Sequence, residues 1–549
     1  MKSSKIFIQL SILLGLSLGT TAQADSNEGT VFYKVGYYQQ AKDKLKAELQ
    51  TSADKATVYY YLGNTYFKLG MQDSAAYYYN QGLAADGKNA LNAIGLAKLK
   101  IKSNPEEAAD ELKSIQKKGK KDLELIAQIG YAYLDNKEPL GAMEKYDYIY
   151  AKSFTNAAGY ELLGDIKDFQ AQGGEAASAY EQAIANDPTS YDAYIKYARV
   201  YSHVNMDVAI QKLQDLKEQA PALSLVDKEL SELYYKKNDF ENAAKAYADY
   251  MKAGSYTVDD LKQYAVTLLM KGDYTKSLEI ANKGLAIDPT DPAFCRMEMY
   301  NLIELQRTDE ANIAADNFFK KSKNPEFSYF DYMYLGRLRD ALKSYPEAAA
   351  AYMKSYEMDS TRTQLLQLAS EAYEKAGDAR KSISVLEKFI ATTGGHTADN
   401  LMELGKKYYS LGTAKDTLQG TVKDSVAAAK KTYLATAEKI FGEVGALEPE
   451  NYRSFYWAGN AASTLDPEAL TDSAKIYYSK ALEIVQPKIK EDARYAPIAA
   501  TCIRYLTVYY YKRYDRNKDE EAKKQCVKYA EQWLEMEPGS QVALQLIAL

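Results

Sequence analysis

Apolar residues recur at intervals of three and four along almost the whole chain, in runs of helical length separated by short polar breaks. That period predicts amphipathic helices throughout. The stretch Ala157 to Ser190, counted as positions 1 to 34, shows the pattern most plainly. Tyr160 falls at 4, Leu163 and Gly164 at 7 and 8, Ala176 at 20, Tyr180 at 24, Ala183 at 27 and Pro188 at 32. A glycine inside a helix costs roughly 1 kcal/mol relative to alanine, so Gly164 implies that something needs the room. The arrangement predicts two helices approaching closely at Gly164 and Ala176, with Tyr160, Leu163 and Tyr180 packed around the contact. Ala183 leaves space for the next unit, and Pro188 ends the second helix before it begins.

The same unit returns along the chain. Ala41 and Leu45 mark a first copy cropped at its start, and Ala56 to Asn89 is complete, with Leu62, Gly63, Tyr66, Ala75, Tyr79 and Gly82 in place. A degenerate copy anchored by Ala109 follows, then Leu123 to Asn156. After the unit at Ala157, others start near Tyr191, Ser224, Val258, Pro292 (resting on Leu302 and Ala311), Tyr329, Thr363, Ala398, Tyr452 and Ala493. In the Ala398 unit the second helix resumes late, at Ala437, Phe441 and Val444, so Gly412 to Asp424 is an inter-helix loop or a helix extension. The ending QVALQLIAL is an apolar helix start that either caps the last pair or docks on another chain.

In length and in these positions the unit resembles the tetratricopeptide repeat, a helix-turn-helix of 34 residues. The resemblance implies an all-α, right-handed superhelical solenoid, built here of about thirteen repeats over 25–549, with an insertion near 412–424. It also implies a concave groove lined by positions 2, 5, 6, 9, 12 and 13 of each first helix. Chaperone-binding members carry lysine at 5 and asparagine at 9 to clamp a terminal carboxylate. Here those positions hold Tyr60 and Asn64 in one repeat and Glu161 and Asp165 in another, which argues against that clamp.

The first residues read differently. Lys2 and Lys5, an apolar run from Ile6 to Gly19 and the small residues of Ala22-Gln23-Ala24 form a signal peptide over 1–24. The run is too short to span a bilayer, which takes about 20 apolar residues. The AQA ending and the tyrosine content, 50 against 2 tryptophans, are similar in style to exported proteins of Bacteroidetes-type bacteria. Losing two lysines and no acids takes the formal charge from −6 to about −8, a poor balance for nucleic acid. The expected location is the periplasm of a Gram-negative cell. Cys295, Cys502 and Cys526 are too few for a disulfide framework. Two readings stay open for the last two: buried small residues, or a Cys502–Cys526 bridge.

No catalytic motif stands out. The only histidines, His203 and His396, lack neighbouring ligands, and there is no P-loop, GxSxG or CxxC. No enzyme activity, cofactor or metal is expected. A run of groove cations is the one chemical pattern: Lys196 and Arg199, Lys228, Lys262, Arg296 and Arg337 give five successive repeats a cation at position 5, 6 or 9. Asp192, Glu229, Glu232 and Asp259 share parts of that face and neutralise some of it. The reading is an exported scaffold that holds a peptide or partner protein, acidic if the cations bind it, along its groove. A structural subunit of a secretion or polysaccharide-export assembly is the alternative, and an enzyme with a dispersed site a distant third.

Overall fold

A computed structural model describes residues 28–392, 394–415 and 421–549. The signal peptide expected at 1–24 lies outside the described residues. Among the described residues, helices α1 to α29 follow one another, packed in consecutive pairs within each unit. By contact the chain divides into two compact units, up to Asn301 and from Leu302.

The first unit contains α1 (Glu28–Lys34), α2 (Tyr38–Thr51), α3 (Lys55–Lys68), α4 (Gln72–Ala85), α5 (Ala90–Lys100), α6 (Pro105–Lys118), α7 (Leu123–Asp135) and α8 (Pro139–Lys152). It continues through α9 (Ala157–Phe169), α10 (Gly173–Asn186), α11 (Tyr191–Tyr201), α12 (Met206–Gln219), α13 (Leu225–Lys236), α14 (Phe240–Lys252), α15 (Val258–Lys271) and α16 (Tyr274–Ile287). The boundary falls within α17 (Pro292–Glu304).

The α9–α10 pair explains the repeat. A methyl group added to Gly164 would stand 2.3 Å from the Tyr180 ring, so the glycine is the slot into which that ring fits. Ala176 and Ala183 are fully buried, and Pro188 follows the end of α10. Gly63 with Tyr79 and Gly336 with Tyr352 repeat the arrangement. The tyrosine also does something phenylalanine cannot. Its hydroxyl crosses the pair to donate to position 9 of the same repeat: Tyr79 to Asn64 and Tyr180 to Asp165, both at 2.7 Å. Part of the tyrosine excess is therefore polar as well as apolar in purpose.

Two registers shift. At position 7, Leu163 is only half-buried, while its neighbour Leu162 fills the core against Gly130. In the third pair Ala108 and Leu112, not Ala109, face inward. Pro105 in the first turn of α6 sets where that helix begins, and the inward face follows from it.

The second unit holds α18 (Thr308–Asp316), extended by a π-helical turn, then α19 (Tyr329–Ala341), α20 (Tyr345–Met358), α21 (Gln364–Lys375), α22 (Ala379–Ile390), α23 (Ala398–Thr413) and α24 (Thr421–Leu447). It closes with α25 (Tyr452–Leu465), α26 (Ser473–Val485), α27 (Ala496–Asn517), α28 (Glu520–Met536) and α29 (Gln541–Ile547). The C-terminal part of the Gly412–Asp424 insertion is helix extension, because α24 starts at Thr421 and runs for 27 residues. Ala437, Phe441 and Val444 restore the core, and the Phe441 ring fills the slot at Gly405. Ala543 and Leu546 of α29 pack inward, while Val542 and Leu544 are exposed. Cys502 and Cys526 are buried as free thiols, so the bridge is not formed.

Candidate binding face of the first unit

The inner face begins with a ladder of charges. Lys196 donates to Asp165 at 2.7 Å across 31 residues of chain, Arg199 to Glu229 at 2.9 Å across 30, and Lys228 to Asp260 at 2.7 Å across 32. Each separation is about one repeat. Lys262 reaches Asp291 at 3.0 Å and Asp259 at 3.5 Å. The second unit repeats the device within itself: Arg337 donates to Glu304 at 2.7 Å across 33 residues, and Lys407 pairs with Glu374. Arg296 is half-buried on α17. The cations found in the sequence therefore do not form an open positive strip. Lys196 and Lys228 are 9% and 7% exposed, and Lys196, Arg199, Lys228, Lys262 and Arg337 each meet a carboxylate that staples one repeat to the next.

A second network lies nearer the start. Lys98, 2% exposed, donates to Asp135 at 3.0 Å, and Lys68 pairs with the other carboxylate oxygen. Burial works to raise the Asp135 pKa, but Lys98 and Lys68 outweigh it and hold the carboxyl below its ordinary value. Burial also depresses the Lys98 ammonium, against the pull of Asp135.

Sequence reasoning missed what fills the face further on. The Lys34 ammonium, at the end of α1, sits 2.9 Å from Glu161 on α9 and 3.0 Å from Asp192 on α11. Val35 accepts a hydrogen bond from the Arg199 guanidinium through its backbone carbonyl. Tyr37 lies between two cations, with Lys228 4.0 Å and Arg199 5.1 Å from its ring centroid. Its hydroxyl contacts Glu229 and Glu232 on α13 at 2.9 and 3.2 Å. Gln40 reaches Asp260 on α15 at 3.4 Å, and Ser224 donates to Glu28 at 2.7 Å. Residues 34–40 thus lie across four successive first helices. The apolar layer agrees: one buried cluster joins Val31, Phe32, Val35 and Tyr60 to Ile195, Ala198, Leu225 and Leu230.

Electrostatics follow from burial. Lys34 is held well above its ordinary pKa: burial opposes its charge, and Asp192 and Glu161 outweigh it. Burial and the neighbouring Asp192 raise Glu161. Burial also acts to raise Asp192, but Lys34 and Lys196 outweigh it and hold that carboxyl low. Burial and Glu229 raise Glu232. Beside Tyr37 is a cavity of about 660 Å³ whose walls include Gln40, Lys228, Glu232, Tyr235, Tyr247 and Asp260.

Profiles described as tetratricopeptide repeat match residues 27–90 and 179–214. Those two stretches are tetratricopeptide repeats. The first spans α1 to α4, so the pair that fills the face is itself a repeat. No curated protein matches the chain. Among solved structures, the chain is similar to the C-terminal part of a repeat-containing protein of Cytophaga hutchinsonii. Identity there is 22%, covering 52% of this chain and 98% of that one, with a TM-score of 0.35. A tetratricopeptide repeat protein of Parabacteroides merdae gives 18% identity over 46% of this chain and 98% of that one, TM-score 0.31. The Cut9–Hcn1 complex of the APC/C gives 15% identity over 92% and 97%, TM-score 0.30. These likenesses carry no argument about a partner.

Tetratricopeptide repeats are protein-interaction modules. Among the described residues, no group of three or more His, Cys, Asp or Glu side chains is arranged to hold a metal ion, and no helix is long and apolar enough to cross a membrane. His396 contacts Glu443 at 2.8 Å on the surface, and His203 is exposed.

Proposed function

We propose that this protein is a non-catalytic scaffold that holds a peptide or a partner protein on the inner faces of its repeats. The observation that carries the reading is the path of residues 34–40. A short stretch of chain lies across α9, α11, α13 and α15 and is gripped at repeat spacing by Glu161, Asp192, Glu229 and Asp260. A face that holds one segment this way has the chemistry to hold another. Export to the periplasm is part of the proposal and rests on the basic start, apolar run and AQA site at 1–24.

Crosslinking in the native envelope, followed by identification of the crosslinked protein and of the residues joined, tests the scaffold. Crosslinks from first-helix positions to one saturable partner support it. Crosslinks confined to the outer helices, or turnover of an envelope substrate, overturn it. Sequencing the mature N-terminus tests export: the expected start is Asp25, and an unprocessed chain refutes it.

A further inference from the structure

The first described repeat is also an occupant of the inner face. Lys34 supplies the positive charge between Glu161 and Asp192, and Tyr37 supplies a ring to two cations and a hydroxyl to two carboxylates. Without α1, Glu161 loses its ion pair, and Asp192 is left with Lys196 at 3.3 Å, which Asp165 shares. Lys196, Arg199 and Lys228 are already committed to Asp165, Glu229 and Asp260. The vacated face would therefore select a lysine and a tyrosine, spaced as Lys34 and Tyr37 are.

The occupant is connected to the rest of its repeat through an open turn. It joins α2 through Gly36, whose φ of +92° is a left-handed conformation that glycine adopts without strain. Nothing lies within 4 Å of where a Gly36 side chain would be. In repeat arrays each unit is held mainly by its neighbours, and regions opening locally belong to the low-stability end of a structure. The cavity beside Tyr37 gives a competing side chain a way in.

We propose that the face of α9, α11 and α13 beneath α1 is a docking surface for a partner segment that presents a lysine three residues before a tyrosine, and that α1 holds it shut in the free protein. This rests on the scaffold reading and names the partner chemistry for that face. It makes the preferred partner of this region cationic and aromatic, where the sequence alone suggested an acidic one.

A fluorescent synthetic peptide of residues 28–44 is the probe, used against the full chain and its Lys34→Met variant, with binding read by anisotropy. Lys34→Met keeps the aliphatic stem and removes the charge, so it weakens the resident segment. The variant is expected to bind the peptide at least tenfold more tightly than the wild-type chain. A peptide with Lys34 and Tyr37 replaced by alanine should not bind. Equal binding by the two chains, or equal binding of the two peptides, overturns the proposal. If Lys34→Met loses helical content, hydrogen exchange of the wild-type chain decides instead. Amides of residues 28–37 should exchange faster than those of α3, and excess peptide should speed them further. Exchange only through global unfolding of the unit overturns the proposal. Envelope crosslinks to a partner without any peptide exchange would sink this inference alone, and loss of those crosslinks would sink the scaffold reading.

Discussion

Lys34 and Glu161 are 127 residues apart in the chain and 2.9 Å apart in space. In a repeat array, contacts are expected between neighbours only. This one, with its companions at Asp192, Glu229, Glu232 and Asp260, ties the first repeat to the fifth through the eighth. The first unit is therefore bridged across its inner face by residues 34–40, and the charges they meet there are paired within the unit.

The slot at Gly164 gives a first test. Adding a methyl group there drives it to 2.3 Å from the Tyr180 ring, which is fixed by its bond to Asp165. Gly164→Ala is expected to destabilise by about 1–3 kcal/mol, the usual range for overpacking. Gly174, exposed on α10 with nothing within 4 Å, is the control. Gly174→Ala should stabilise by roughly 0.4–1 kcal/mol through the unfolded chain. Urea denaturation followed by circular dichroism measures both, and equal effects would mean the slot is unimportant.

The hydroxyl of Tyr180 gives a second. Tyr180→Phe keeps the ring and removes the donor to Asp165, which also takes Lys196 and Tyr131. A hydrogen bond to a charged group is worth about 1.5–3 kcal/mol, and because two other donors remain, the lower end is expected. No change in denaturation midpoint would show that the position needs only an aromatic ring.

Asp135 sets a pH dependence. Its folded pKa is depressed by Lys98 and Lys68 despite burial. Its stabilising contribution is therefore fully present above the unfolded carboxyl value of about 3.9. It is lost as pH falls through the lower folded value. Asp135→Asn leaves Lys98 buried without its counter-charge and should cost about 3–5 kcal/mol at neutral pH. The variant should lose less stability than wild type when acidified below about pH 4. Denaturation curves across that range check both statements, and parallel pH profiles would contradict them.

Much of the fold was legible because the repeat carries its packing in its spacing. Gly164, Ala176, Tyr180 and Ala183 announce a close helix pair without any knowledge of the neighbours, and all four lie buried where the spacing put them. Leu163 and Ala109 misled by one residue, since adjacent apolar residues on a helix are hard to rank by period alone. The cation run was a real signal with a different cause. Lysine or arginine recurs each repeat because a carboxylate one repeat away pairs with it, so periodic charge marked a staple between repeats. The seat of Lys34 and Tyr37 was not legible. Nothing local in residues 28–40 says which distant repeats will meet them, because that depends on how the rotations of the intervening repeats add up.

A double-mutant cycle on Lys34 and Glu161 tests this bridge most directly. Stability is measured by denaturation for the wild-type chain, Lys34→Met, Glu161→Gln and the two together. Groups in contact typically couple by 0.5–3 kcal/mol, whereas distant sites add to within about 0.5. If the first repeat is seated on α9, the double variant should be less destabilised than the sum of the singles, with coupling of about 1–3 kcal/mol. Strict additivity, with each single variant folded, would mean that Lys34 and Glu161 do not meet and that the first unit is not bridged by residues 34–40.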